Sequence, residues 1–224
     1  MPTLRLGSWN GCRGERRGDI GLLLESGVDV NTLTDKAVIR RQMRMWRQTL
    51  APDWVVEHGR RIQAQVERLR EWAEARTVCC YLAMGGEVPT RELIRACQAE
   101  GKRVWVPAWR EAEARYGLAL WREDVALCPG LGGVLEPVDP QWSPGEPVEV
   151  VGVPGVAFDR NGGRLGHGRG HYDQLLAAPA LRGAFKLGLA FESHVLDQVP
   201  MDRHDVPMDG VVTEQSDYRC VKPK

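Results

Sequence analysis

The chain has 224 residues, enough for one domain or two small ones, with a core that needs no disulfide or structural metal. Hydrophobic residues make up 43% and charged residues 27%, which excludes a disordered, collagenous or coiled-coil chain. Lys and Arg total 30 and Asp and Glu total 30, so no global field holds a polyanion, nucleic acid is not expected as a partner, and any anion site must be local.

No apolar run approaches the ~18 residues of a membrane span. Arg5, Arg13, Arg16 and Arg17 are not followed by an apolar segment with a cleavage site, so neither a membrane anchor nor a secretory signal is expected. Cys12, Cys79, Cys80, Cys97, Cys128 and Cys220 form no C-x-x-C pair, and three of them lie in apolar stretches. That pattern reads as reduced, buried thiols in a cytoplasmic protein.

Residues 1–34 carry six glycines and scattered arginines without a sustained period of 2 or 3.6, and read as a flexible extension. From there the pattern becomes regular. Thr34 or Asp35 is placed to cap a helix running to Thr49, and Lys36, Arg40, Arg44 and Arg47 share one flank of it. Ile62, Val66, Leu69 and Trp72 recur at helical spacing and predict a second helix over 53–75. Residues 77–82 predict a strand, 90–100 a helix ended by Gly101, and 103–109 and 116–121 two more strands. Five prolines and four glycines make 128–147 an irregular connector. Residues 148–158 read as one buried strand, 170–178 as a helix, and 186–191 and 210–213 as late strands. Strands alternating with helices predict an α/β fold: a mostly parallel sheet flanked by helices, a single domain with open α/β/α layers over 35–215, followed by a tail over 216–224.

The most informative segment is Phe158 to Asp173, FDRNGGRLGHGRGHYD. Gly162, Gly163, Gly166, Gly168 and Gly170 fall between an apolar strand and a helix start. Glycine lets backbone N–H groups approach a ligand, and a helix N-terminus adds unpaired N–H groups, so the segment suits phosphate. Arg164, His167 and Arg169 add donors. It is neither a G-x-x-x-x-G-K-[ST] loop nor a G-x-G-x-x-G fingerprint. The bland alternative is a surface turn with solvated arginines. His167 and His171 stand four apart, but the glycines between them argue against a helical zinc pair.

This segment resembles the signature of the 5-formyltetrahydrofolate cyclo-ligase family, carried by Phe158, Asp159, Gly162, Arg164, Leu165, Gly166, Gly168, Gly170, Tyr172 and Asp173. Lys36 and Arg40, the stretch from Leu82 to Thr90, residues 101–107, Gly133 with Glu136 and Pro137, and the closing segment with His204, Asp205 and Pro207 extend the resemblance over about residues 35–215. The chain departs from the family pattern at His167, His171 and Gln174.

The resemblance implies ATP-dependent conversion of 5-formyltetrahydrofolate to 5,10-methenyltetrahydrofolate, with Mg2+ as the accompanying ion and a monomer expected. It implies catalytic roles for Arg164, Arg169 and Tyr172. ATP would be bound by Lys36, Arg40 and the stretch Gly162, Gly163, Arg164, Leu165, Gly166, His167, Gly168, Arg169, Gly170, His171 and Tyr172. Folate would contact Leu82, Met84, Glu87, His167 and His171. Asp173 and Asp205 would hold the metal, with Asp209 a weaker candidate. On the residues alone, Asp173 is equally a first-turn helix carboxylate, Glu87 a solvated loop acid, and Leu82, Met84, Trp109 and Tyr172 core. Two other classes stay open: a non-catalytic nucleotide- or folate-binding relative, and an ATP-dependent enzyme acting on another small amide.

Overall fold

The computed structural model describes residues 35–220; the extension expected over 1–34 and the last four residues of the tail lie outside the described residues. Helix α1 (Lys36–Gln48) begins where Asp35 accepts hydrogen bonds from the amides of Ala37 at 2.7 Å and Val38 at 3.4 Å. Ile39 and Met43, four apart, are fully buried on one side of it. Helix α2 (Pro52–Arg68) starts on a proline, whose missing N–H would have had no helical partner there.

The single helix expected over 53–75 is two. Leu69 is extended (φ −67°, ψ 128°), and the chain restarts as α3 (Arg70–Glu74). The break turns Trp72 into the core, 2% exposed. Lys102 Nζ then donates to the carbonyls of Trp72 at 2.7 Å and Ala73 at 2.9 Å, a cation at the negative end of α3.

Next come β1 (Thr77–Cys79), α4 (Arg91–Ala99), β2 (Arg103–Arg110) and β3 (Arg115–Leu120). The connector contains a small antiparallel pair, β4 (Leu127–Pro129) and β5 (Leu135–Pro137). The apolar run 148–158 is split into β6 (Val150–Val153) and β7 (Ala157–Asp159), which belong to different sheets. Pro154 has no N–H for a central ladder, and the Phe158 ring lies so close to Gly155 that a Cβ there would meet it at 2.5 Å. Then follow β8 (Arg164–Leu165), α5 (His171–Ala177), α6 (Pro179–Arg182), β9 (Phe185–Leu189), β10 (Val195–Leu196), β11 (Gly210–Val212) and β12 (Asp217–Arg219).

The main sheet has the order β12-β11-β9-β6-β1-β2-β3. Its five inner strands are parallel, and the two edges, β12 and β3, are antiparallel. Residues 217–219 are therefore an edge strand rather than part of a tail. A smaller sheet, β10-β7-β8, stands beside it.

Strand residues alternate between the two faces. Val78, Val104, Val106 and Val150 join one core cluster with Ile62, Trp72 and Leu93 from α2, α3 and α4. Cys79, Trp105 and Val151 join another with Leu175, Leu176 and Leu181 from α5 and α6. Both faces are covered, which is why these strands read as continuous apolar runs. Each fully buried aliphatic side chain contributes about 1.5–3 kcal/mol. A third cluster packs Ile39 and Met43 of α1 on Val156, Ala157, Leu165, Leu196 and Val199. It fixes α1 over the smaller sheet, at the end of the main sheet where β1, β6 and β9 run out.

Candidate active site

The signature segment divides in two. Gly162 and Gly163 turn the β7–β8 hairpin: Gly162 has φ +94° and its amide donates to Asp159 O, while Gly163 N donates to Asp159 Oδ1 at 2.8 Å. Asp159, 3% exposed, also accepts from Asn161 N and Val199 N, both at 2.8 Å. The amides of Gly162 and Gly163 are thus engaged inside the fold, and Leu165 is in the α1 core. These three residues build the platform beneath the loop.

The open stretch is Gly166 to Gly170. His167, Gly168, Arg169 and Gly170 are exposed, with Gly168 at φ +103° and Gly170 at φ +68°. No amide from Gly166 through Asp173 donates a hydrogen bond to another described residue. Successive unpaired N–H groups on a glycine loop form a concavity suited to anions.

Two cations of α1 border this loop. Arg40 Nε donates to Gly166 O at 2.8 Å, and its guanidinium lies against Gly168, where a Cβ would meet Cζ at 3.2 Å. Lys36 Nζ lies 2.6 Å from Asp205 Oδ2 and 2.7 Å from Asp202 Oδ2. Asp202, which sequence reading does not single out, is the more exposed partner.

Arg164 lies beneath the loop, 4% exposed, with Nη2 donating to Asp173 Oδ1 at 2.6 Å. Its guanidinium sits 5.9 Å from the centre of the Tyr172 ring. Asp173 Oδ1 also accepts from Val206 N at 3.1 Å, which ties the 205–206 turn to α5. Burial would raise the Asp205 carboxyl, but the Asp202 N–H, Lys36 and Arg164 outweigh it and hold the group below its ordinary value. Asp173 Oδ2 and Asp205 Oδ1 accept no hydrogen bond from a described residue. Two open carboxylate oxygens suit a hard divalent cation that takes one or two carboxylates and completes its shell with water and phosphate. Among the described residues no three His, Cys, Asp or Glu gather into a denser ligand set.

Across the loop stands Glu87, on the segment leaving β1. It is no solvated acid: its side chain is 9% exposed. Oε2 accepts from Met84 N at 3.0 Å, and Oε1 lies 3.6 Å from His167 Nε2 and 3.9 Å from Arg47 Nη1. Gly86 takes φ +76° so that the backbone passes over Arg47 Cβ, which a side chain would meet at 3.0 Å. Leu82 is buried in the core, while Met84 is partly exposed on the same segment.

An aromatic group forms the remaining wall. His171 lies 5.1 Å from Trp109 and 5.8 Å from Tyr116, centre to centre, and Tyr116 lies 6.3 Å from Tyr172. Tyr172 is partly exposed, yet its dense surroundings push its phenol well above the ordinary value. Burial and then Glu136 raise the Tyr116 phenol, while nearby Arg169 opposes them. Tyr116 reads in sequence only as an alternating strand residue, and its antiparallel pairing with Trp109 across β2–β3 places it here.

Cys79, Cys80 and Cys97 are buried, whereas Cys128 is exposed and Cys220 partly so. Among the described residues no helix is long and apolar enough to cross a membrane.

Comparison with known proteins shows which family the chain resembles. The 5-formyltetrahydrofolate cyclo-ligase family matches residues 32–214. A 5-formyltetrahydrofolate cyclo-ligase of Mycolicibacterium smegmatis is 34% identical over 162 residues, covering 67% of this chain and 82% of the relative. A probable 5-formyltetrahydrofolate cyclo-ligase of Schizosaccharomyces pombe is 31% identical over 175 residues, 70% of this chain and 84% of the relative. The solved 5,10-methenyltetrahydrofolate synthetase of Aquifex aeolicus superposes with a TM-score of 0.73 at 28% identity, over 84% of this chain and 94% of that one. With the family's sequence pattern matched across most of its length, the chain belongs to the 5-formyltetrahydrofolate cyclo-ligase family.

Proposed function

We propose that this chain closes 5-formyltetrahydrofolate to 5,10-methenyltetrahydrofolate, consuming ATP and releasing ADP and phosphate. The chemical obstacle is a formamide carbonyl, made unreactive by nitrogen donation, whose oxygen is a poor leaving group. Transfer of the terminal phosphoryl group of ATP to the formyl oxygen removes both difficulties. Nitrogen 10 then attacks the formyl carbon, the carbon–oxygen bond breaks, phosphate leaves and the nitrogen 10 proton is lost. Such a reaction asks the protein for positioning and charge stabilisation more than for covalent chemistry.

The residues divide accordingly. The unpaired amides of 166–173 with Arg40, Lys36 and Arg169 hold the phosphates, and His167 and His171 flank them. Glu87, Met84 and the Trp109–Tyr116–His171–Tyr172 wall receive the folate. Arg164, buried under the loop, holds Asp173 and Tyr172 in place. Asp173 and Asp205 would hold magnesium, which supplies charge neutralisation on the phosphates when bound.

One observation supports the reading most directly: His167 of the glycine loop and Glu87 of the opposite segment lie 3.6 Å apart, a spacing that would bring together a nucleotide bound on one side and a folate bound on the other. Single-turnover absorbance tests it, because the methenyl product is a distinct chromophore. Its appearance is expected only with ATP and 5-formyltetrahydrofolate together. Binding of both without product would instead mark a non-catalytic relative.

A further inference from the structure

Arg47, in the last turn of α1, divides its guanidinium among three other segments. Nη1 faces Glu87 Oε1 at 3.9 Å, Nη2 donates to Gly155 O, and Nε donates to His194 Nε2 at 3.3 Å. The arginine is 10% exposed at its side chain, and His194 is 2% exposed. A guanidinium has no lone pair to offer. Nε2 of His194 is therefore the acceptor, and the neutral ring carries its proton on Nδ1. Burial first, and the Arg47 charge second, hold the imidazole well below its ordinary value, so it stays neutral.

The ring is also fixed in orientation. Trp46 meets it edge-on at 4.6 Å and 90°, and Phe191 lies 6.0 Å away. The ring borders a cavity of about 10 Å³ that Arg47, Glu87 and Gly155 also line. An arginine side chain has several soft torsions, but its fork is planar and rigid. Fixing Nε therefore fixes where Nη1 and Nη2 point.

We infer that His194 is a positioning residue for Glu87: its Nε2 lone pair locks the Arg47 fork, and the fork holds the Glu87 carboxylate at the mouth of the site beside His167. Its effect on folate rests on the function proposed above; its effect on the Glu87 segment does not. The chain of contacts runs from the segment after β9, through α1, to the segment after β1 and on to the glycine loop, so it joins the two halves of the site.

Two substitutions separate this role from simple packing. His194→Phe fills the aromatic box without an acceptor, and His194→Gln restores an acceptor. In the free protein, hydrogen exchange at the amides of 85–88 should speed up about tenfold in His194→Phe and return to within about twofold in His194→Gln. In turnover, His194→Phe should raise KM for 5-formyltetrahydrofolate about five- to tenfold with KM for ATP within about twofold, and His194→Gln should recover it. Arg47→Lys keeps the charge but loses the fork, so it should reproduce the His194→Phe behaviour, and adding His194→Gln to it should change nothing further. That arm decides the matter even if His194→Phe does not fold. Unaltered exchange in Arg47→Lys, equal behaviour of the Phe and Gln variants, or an equal rise in both KM values would overturn the inference. A wild-type protein without turnover would sink the proposed function alone, since the exchange measurement still reads the positioning.

Discussion

Arg164 Nη2 donates to Asp173 Oδ1 at 2.6 Å, and the two side chains are 3% and 19% exposed. The pair bridges the glycine loop from β8 to α5, so the loop is closed at its base by a charge-assisted bond while its upper amides stay open. Arg164→Met preserves bulk but leaves Asp173 with only the Val206 amide. The variant should lose about 3–5 kcal/mol of stability, the range for breaking a buried pair, as read from urea unfolding. A loss near zero would mean that the carboxylate finds water and the bridge is dispensable.

The two cations of α1 should be separable by kinetics. Arg40 is aimed at the loop through Gly166 and Gly168, whereas Lys36 is held by Asp202 and Asp205. A charged hydrogen bond to phosphate contributes about 1.5–3 kcal/mol, so Arg40→Ala should raise KM for ATP about 10- to 100-fold. Lys36→Ala should act in the same direction but less strongly, since its ammonium is shared. Both should leave KM for the folate nearly unchanged, and an effect confined to the folate constant would place α1 at the wrong substrate.

Residues 217–219 are held in the fold partly by Arg219, whose guanidinium pairs with Glu71 of α3 at 2.6 and 2.7 Å. The Arg219 bond holds the Glu71 carboxyl below its ordinary value of 4.5, against a smaller opposing effect of burial. A lowered carboxylate stabilises the folded state above the ordinary value, and that contribution is lost as pH falls through the lower folded value. At neutral pH, Glu71→Gln should therefore lower Tm by about 1–2 °C, the scale of a partly exposed pair. The gap between variant and wild type should close as the solution is acidified, which melting curves from pH 7 to 3 would show. A gap that widens in acid would reverse the sign and defeat the assignment.

Much of this fold is legible because periodicity is a local signal. The α1 cap, the α/β alternation and the parallel core runs follow from neighbours within a few residues. What sequence hides is set from a distance. The run 148–158 gives no sign that Phe158 must lie over Gly155 and Gly188, which forces the chain out of the main sheet after Val153. Gly162 and Gly163 look like phosphate glycines by composition, but Asp159 takes the Gly163 amide through its side chain and the Gly162 amide through its carbonyl. His194 belongs to no motif. Its partner Arg47 lies 147 residues away, and only the docking of α1 brings them together.

Residues 1–34 offer a direct test by truncation. The family match begins at residue 32, and removing residues 1–34 still retains Asp35, the cap of α1. Ile39 and Met43 already have their partners in the smaller sheet. Truncation should leave Tm and turnover nearly unchanged, within the roughly 0.5 kcal/mol expected of changes away from packed features. A loss of several degrees would show that the removed segment packs on the body.

Asp173→Asn keeps the shape of the side chain, so one oxygen still accepts from Arg164 and Val206, but the charge is gone. Two outcomes are distinguishable. If Asp173 serves only to hold Arg164, stability falls by about 1–3 kcal/mol for the weakened charged bond. Turnover per folded molecule then changes little. If its second oxygen also holds magnesium with Asp205, turnover falls about 10²–10³-fold, the scale of losing one preorganised electrostatic contact. That second defect should be partly relieved by raised magnesium, because a weakened site fills by mass action. Activity normalised to folded protein, measured at low and high magnesium, reads the two separately. A variant that keeps half its turnover at low magnesium would leave Asp173 as the partner of Arg164 and Val206, with no part in holding the metal.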